Sequence, residues 1–247
     1  MRLSRKMLAL GGGGIERHYL QFDGLADSAI AASAVTGIGT AYTFALSLQR
    51  PINGTTSSSA PFVAQLFGNA AGGDTNRDRL FRSGTTGSQL NSNGLIASTG
   101  ASNYSASVAS QVDEAKVISI ARNGTSNAES RIIRASGTEW TASSAVVEYR
   151  EPEHICIGAR HSATSPGGFR DLFGPVRLIS AMIITGSATD AELQNWLLNR
   201  DARAVFGTRL WGYWAASTIS GSTLPNLVPG KPDMTLYGPT AADLVAL

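Results

Sequence analysis

Cysteine occurs once in the 247 residues, at Cys156, so no disulfide can form within the chain. It sits in the apolar run Ile155-Cys156-Ile157 and reads as a small buried hydrophobe. Charge is also scarce: 15% of residues are Asp, Glu, Lys or Arg, and the formal net charge is +2. That balance is too small to make nucleic acid the main partner. No apolar stretch approaches the roughly 20 residues that cross a bilayer as a helix. Arg2, Arg5 and Lys6 precede only the short run Met7 to Leu10 before Gly11-Gly12-Gly13-Gly14, against about 7–15 apolar residues in a secretory signal. Neither a cleaved signal nor membrane insertion is expected, and the protein is expected to be made in the cytoplasm.

Catalytic constellations are equally sparse. The closest run of carboxylates is Glu148-Tyr149-Arg150-Glu151-Pro152-Glu153, where Pro152 interrupts any strand, so a solvated turn is the default. No Gly-x-Ser-x-Gly elbow accompanies His18, His154 or His161, and no His/Cys cluster has metal-ligand spacing. The chain is not expected to be an enzyme.

What is abundant is glycine, 27 in all, with many Ser and Thr, the composition of turns and strands. Tyr42, Phe44, Leu46 and Leu48 alternate with Ala41, Thr43, Ala45 and Ser47, a period-2 strand with one apolar face. Further strands are expected over 60–67, near 94–97 and 104–108, over 114–123 with Asn123-Gly124 as a hairpin turn, and over 130–134. Trp140 follows in what reads as a Ser/Thr/Gly loop. The densest information lies in 155–198. A strand at Ile155-Cys156-Ile157-Gly158-Ala159-Arg160 leads through a polar loop to Asp171. The β-branched run Val176 to Ile184 then suits a buried strand. Thr189 and Glu192 form a capping box, and Leu193, Trp196 and Leu197 share the apolar face of the helix behind it, which must lie on a sheet. Arg200 to Arg203 read as solvent-facing charge. Late strands are expected at 210–214 and 234–237.

Ile157-Gly158-Ala159, then Phe173-Gly174-Pro175-Val176, then Thr189-Asp190-Ala191-Glu192-Leu193 follow the order found at the close of laminin-G-like domains. His18 to Gly24 resembles their "Y-x-x-F-D-G" opening, and Val117 to Gly124 their "N-G" hairpin, with Ala121 where an aromatic is common. The sequence therefore resembles the concanavalin A-like lectin and glucanase jelly rolls. The resemblance implies an all-β, antiparallel jelly-roll β-sandwich over 18–215 with one short helix near 189–199. On function it is nearly silent, because this fold hosts lectins, hydrolases and structural modules. Its glucanases carry "E-x-D-x-x-E", which this chain lacks, leaving glycoside hydrolase a remote reading.

Two loops are candidate sites. Arg160, His161, Phe169, Arg170 and Asp171, with Trp140, could offer donors, an acceptor and stacking faces to a sugar, with a plain surface loop as the alternative. Asp74, Asn76 and Asp78 place three oxygen-bearing side chains within five residues and could bind calcium, although no complete EF-hand is present and a solvated turn is the default; no other cofactor is expected. Residues 1–17 read as a flexible N-terminal arm and 216–247 as a wrapping tail. Both suit contacts with sibling chains or other virion subunits. The first functional expectation is a bacteriophage virion structural protein (tail, baseplate or capsid-decorating component). The alternative is a carbohydrate-binding lectin or receptor-binding module that contacts surface glycan.

Overall fold

The computed structural model describes residues 14–23, 25–31, 35–49, 62–67, 77–83, 89–93, 104–105, 115–123, 127–145, 154–162, 169–171 and 175–247. Strands dominate. The first half contains β1 (His18–Asp23), β2 (Ser28–Ala31), β3 (Tyr42–Gln49), β4 (Phe62–Phe67), β5 (Arg77–Ser83), β6 (Gln89–Asn93) and β7 (Tyr104–Ser105). Then come β8 (Lys116–Asn123), β9 (Asn127–Arg134), β10 (Gly137–Ala145), β11 (His154–Ile157), β12 (Arg160–Ser162), β13 (Phe169–Asp171) and β14 (Pro175–Thr185). Helices α1 (Asp190–Asn199) and α2 (Ala202–Phe206) precede β15 (Leu210–Ala215), β16 (Thr223–Leu224), β17 (Met234–Tyr237) and β18 (Leu244–Ala246).

One sheet runs β10-β9-β8-β3-β14-β1-β18, with β15 also on β14; the other runs β16-β17-β2-β11-β4-β5-β6-β7. Every paired strand is antiparallel, for example Phe44 opposite Ile120 on one side and Ile183 on the other. The result is the all-β jelly-roll sandwich that the sequence implies. The even residues of β3 explain its core. Tyr42, Phe44, Leu46 and Leu48 bury into one cluster with Ile155, Ile157, Leu224, Met234 and Leu236 of the opposite sheet.

The odd face of the same strand is covered as well. Ala45 joins Val117, Ile133 and Met182 beneath Leu193, Trp196 and Leu197 of α1 and Phe206 of α2. Each of the larger apolar side chains here, such as Ile133, Met182 or Leu193, contributes about 1.5–3 kcal/mol on burial. The capping box forms as the sequence implies: the Glu192 amide donates to Thr189 Oγ1 at 3.2 Å and the Thr189 amide to Glu192 Oε2 at 2.8 Å. Cys156 is fully buried, as a small hydrophobe would be.

Several expectations change. Trp140 stands in strand β10, opposite Ile132 on β9, rather than in a loop. The alternation was hidden because the register shifts between Thr138 and Trp140, and such a bulge breaks the period-2 signal. Bulged Glu139 instead gathers Lys116 Nζ at 3.0 Å and Arg134 Nε at 2.5 Å. The stretch 160–171 is a two-stranded hairpin, β12 with β13, where a plain polar loop was expected. Residues 163–168 between its strands lie outside the described residues. The polar loop expected at 72–79 gives way to β5 at Arg77. The strand expected near 94–97 and the Asn123-Gly124 turn's Gly124 lie outside the described residues. Arg200, expected in solvent, is half-buried with φ 58° as the C-cap of α1.

At the chain ends, residues 14–17 of the expected arm pack against the domain. Glu16 is buried, and its amide donates to the Arg200 carbonyl at 3.1 Å. The expected tail supplies β16 and β17 to one sheet and β18 to the other.

Candidate functional site

The candidate hairpin is positioned by a single glycine. β11 belongs to the second sheet, and two residues later the chain has left it to start β12. Gly158, with φ +82°, makes that turn. A Cβ there would meet Phe22 Cδ1 at 2.8 Å and the Asp27 carbonyl oxygen at 2.9 Å. Only glycine combines this backbone angle with this clearance. The hairpin base is thereby packed against the β1–β2 connection.

Within the hairpin the register sets Arg160 opposite Asp171, His161 opposite Arg170, and Ser162 opposite Phe169. Two cationic residues, an imidazole, a carboxylate and an aromatic thus share one short ladder that belongs to neither large sheet. Trp140 is not among them; it stands on β10 at the end of the first sheet. Of the calcium candidates, Asp78 lies on β5 opposite Leu66, while Asp74 and Asn76 lie outside the described residues. Among the described residues no group of three or more His, Cys, Asp or Glu could hold a metal ion. No helix among them is long and apolar enough to cross a membrane.

Beside the hairpin base is a feature that sequence reasoning missed. Asp23 Oδ1 accepts from the amides of Leu25 at 2.7 Å, Ala26 at 3.1 Å and Asp27 at 3.4 Å, while Asp27 Oδ2 accepts from the Asp23 amide at 2.8 Å. Burial works against the Asp23 charge, but these amides outweigh it and hold the carboxyl below its usual range. Asp27 goes the other way, pushed up by burial and by the charges of Asp23 and Asp243. Leu25 at the tip is 52% exposed. The signal was available as an aspartate followed by free backbone amides two to four residues on, the pattern of an Asx-turn.

No protein-family model matches this sequence, and no curated protein matches it. Solved structures do resemble the fold. One is a Bacteroides ovatus protein provisionally assigned to carbohydrate binding, with a TM-score of 0.58 and 12% identity, covering 93% of this chain. This chain spans 60% of that protein's length. Another is the native heptameric SAP-like pentraxin of Limulus polyphemus, with a TM-score of 0.51 and 9% identity over 74% of this chain and 82% of the pentraxin. At such identities the likeness establishes the fold alone, an antiparallel all-β jelly-roll sandwich.

Proposed function

We propose that this protein is a carbohydrate-binding module of lectin type, without catalytic chemistry of its own, and that its glycan contacts lie on the β12–β13 hairpin. The observation that carries this reading is the ladder that sets Arg160 opposite Asp171 and His161 opposite Arg170 beside the sandwich. Guanidinium and imidazole groups donate, and a carboxylate accepts, the hydrogen bonds that neighbouring sugar hydroxyls require. Phe169 adds an aromatic of the kind on which a sugar ring stacks. Short connections on a rigid sandwich are where such folds carry their binding residues. The likeness to the Bacteroides ovatus protein over 93% of the chain supports a glycan ligand over a purely structural role.

The test is a glycan array probed with the whole protein, followed by Arg160→Ala and Asp171→Ala. Binding to a defined glycan class that drops at least tenfold in both variants is expected. A blank array, or binding untouched by either substitution, would overturn the reading. A place on a virion would add attachment through residues 1–17 and 216–247 to this same module, and would be read as symmetric arrays of the protein on native particles.

A further inference from the structure

Glu16 is the most unusual side chain among the described residues. Just behind the four glycines, it is 3% exposed. Three donors converge on its Oε1: Ser180 Oγ of β14 at 2.6 Å, the Tyr213 hydroxyl of β15 at 2.7 Å and Trp196 Nε1 of α1 at 2.8 Å. Its other oxygen, Oε2, is buried with no hydrogen-bond partner, and so is Nη1 of Arg200, the cation that acts on it. A carboxylate satisfied on one side and bare on the other, away from water, is a costly arrangement.

The same residue anchors the start of the described chain. Around it, Glu16 N donates to Arg200 O at 3.1 Å and Arg17 N to Ser217 Oγ at 2.9 Å, while Ile15 is only partly buried. Gly14 passes so close to the end of α1 that a Cβ would sit 2.5 Å from Arg200 O. Little apolar burial therefore holds this segment, and polar contacts keep it in place: the cluster at Glu16 and the Leu247 amide, which donates to Arg17 O at 3.1 Å.

We propose that Glu16 is a proton-operated latch: while its buried carboxyl carries a proton, Gly14–Arg17 stays closed on α1 and β15, and loss of that proton releases the segment. A proton on Oε2 removes the charge that burial penalises, whereas release lets water solvate both oxygens of the anion. Burial does raise the Glu16 carboxyl above its ordinary 4.5, although the three hydrogen bonds and Arg200 oppose it. The neighbouring groups do not supply this switch. Tyr213 is pushed far up by burial and by Glu16, so it stays neutral. Arg200 remains the facing cation, Asp201 and Arg203 at the start of α2 are paired with each other at 2.7 Å, and Ser180 and Trp196 carry no charge. Arg17 and His18 follow on the segment itself, with His18 Nδ1 3.4 Å from Ser217 Oγ. Because the closed state holds the proton more tightly, closure is favoured at low pH and lost as pH rises through the closed-state value.

The experiment is nuclear magnetic resonance of the full chain across pH. The Trp196 indole N–H resonance should titrate with a midpoint above 4.5. The amide protection of Glu16 and Arg17, taken relative to Ile183, should fall by up to about tenfold per pH unit beyond that midpoint. In Glu16→Gln both responses should disappear, with the segment closed throughout. Protection that is flat with pH in the natural protein, or that keeps its slope in Glu16→Gln, would overturn the latch. Should Glu16→Gln fail to fold, Ser180→Ala removes one donor to the anion and must move the midpoint upward; an unmoved midpoint would overturn the proposal equally.

Discussion

The indole N–H of Trp196 donates to Glu16 Oε1 at 2.8 Å, across 180 positions of sequence. One tryptophan thus serves two purposes. Its ring, fully buried, packs edge-on against Phe206 with centroids 6.4 Å apart, and its nitrogen donates to a buried carboxyl oxygen. Trp196→Ala should therefore cost about 3–5 kcal/mol, the range for core aromatic truncation, as measured by urea unfolding. Trp196→Phe should recover much of the packing while losing the hydrogen bond. Equal stability of the two variants would show that the ring contributes little.

Truncation separates Glu16 from the chain before it. A protein starting at residue 14 keeps the Glu16 carboxyl, whereas one starting at residue 17 leaves Ser180, Tyr213 and Trp196 without the acceptor of their hydrogen bonds. The second should be less stable than the first by about 1–3 kcal/mol, the cost of an unsatisfied buried polar group. Calorimetry of the two proteins under one buffer checks this, and sedimentation of each against the full chain tests whether residues 1–13 carry assembly.

Gly158→Ala should destabilise the fold by more than about 1 kcal/mol, because alanine is strained at positive φ. Its Cβ would also press on Phe22 and on the Asp27 carbonyl. Since the same glycine aims the chain into β12, glycan binding should weaken alongside the melting temperature. A variant with unchanged stability would mean that the β1–β2 connection yields freely.

Thr189→Ala removes the N-cap of α1 and should cost about 1 kcal/mol. Glu192 should respond more strongly than its cap role alone implies, since Arg209 Nη1 also donates to Glu192 Oε1 at 2.5 Å. Chemical denaturation of the two single variants and the double variant measures the coupling.

Acid should act at the β10 bulge. Burial disfavours the Glu139 charge, but Arg134 and Lys116 outweigh it and hold the carboxyl below its ordinary 4.5. A depressed carboxyl contributes stability that is present above its unfolded value and lost as pH falls through the folded one. Melting temperature should thus drop below about pH 4.5 more steeply in the natural protein than in Glu139→Gln, as followed by circular dichroism.

What the sequence determined by itself was everything written in local periodicity and capping chemistry. The alternation in Tyr42 to Leu48, the β-branched run Val176 to Ile184 and the Thr189/Glu192 box each encode an element through neighbours a few residues apart. Together they were enough for strands and for a helix lying on a sheet, whereas the sandwich itself was implied by the resemblance to laminin-G-like domains. The candidate residues Arg160, His161, Phe169, Arg170 and Asp171 were legible as a polar cluster, but their pairing was not. A hairpin ladder depends on register between strands of three residues, too short to show a period. Trp140 was hidden by its bulge for a related reason. Glu16 left no trace at all beside four glycines, because its meaning comes from Ser180, Trp196 and Tyr213, which lie 164, 180 and 197 positions away. Only the tertiary structure brings those donors to one carboxylate oxygen, since no local pattern constrains groups so distant in the chain.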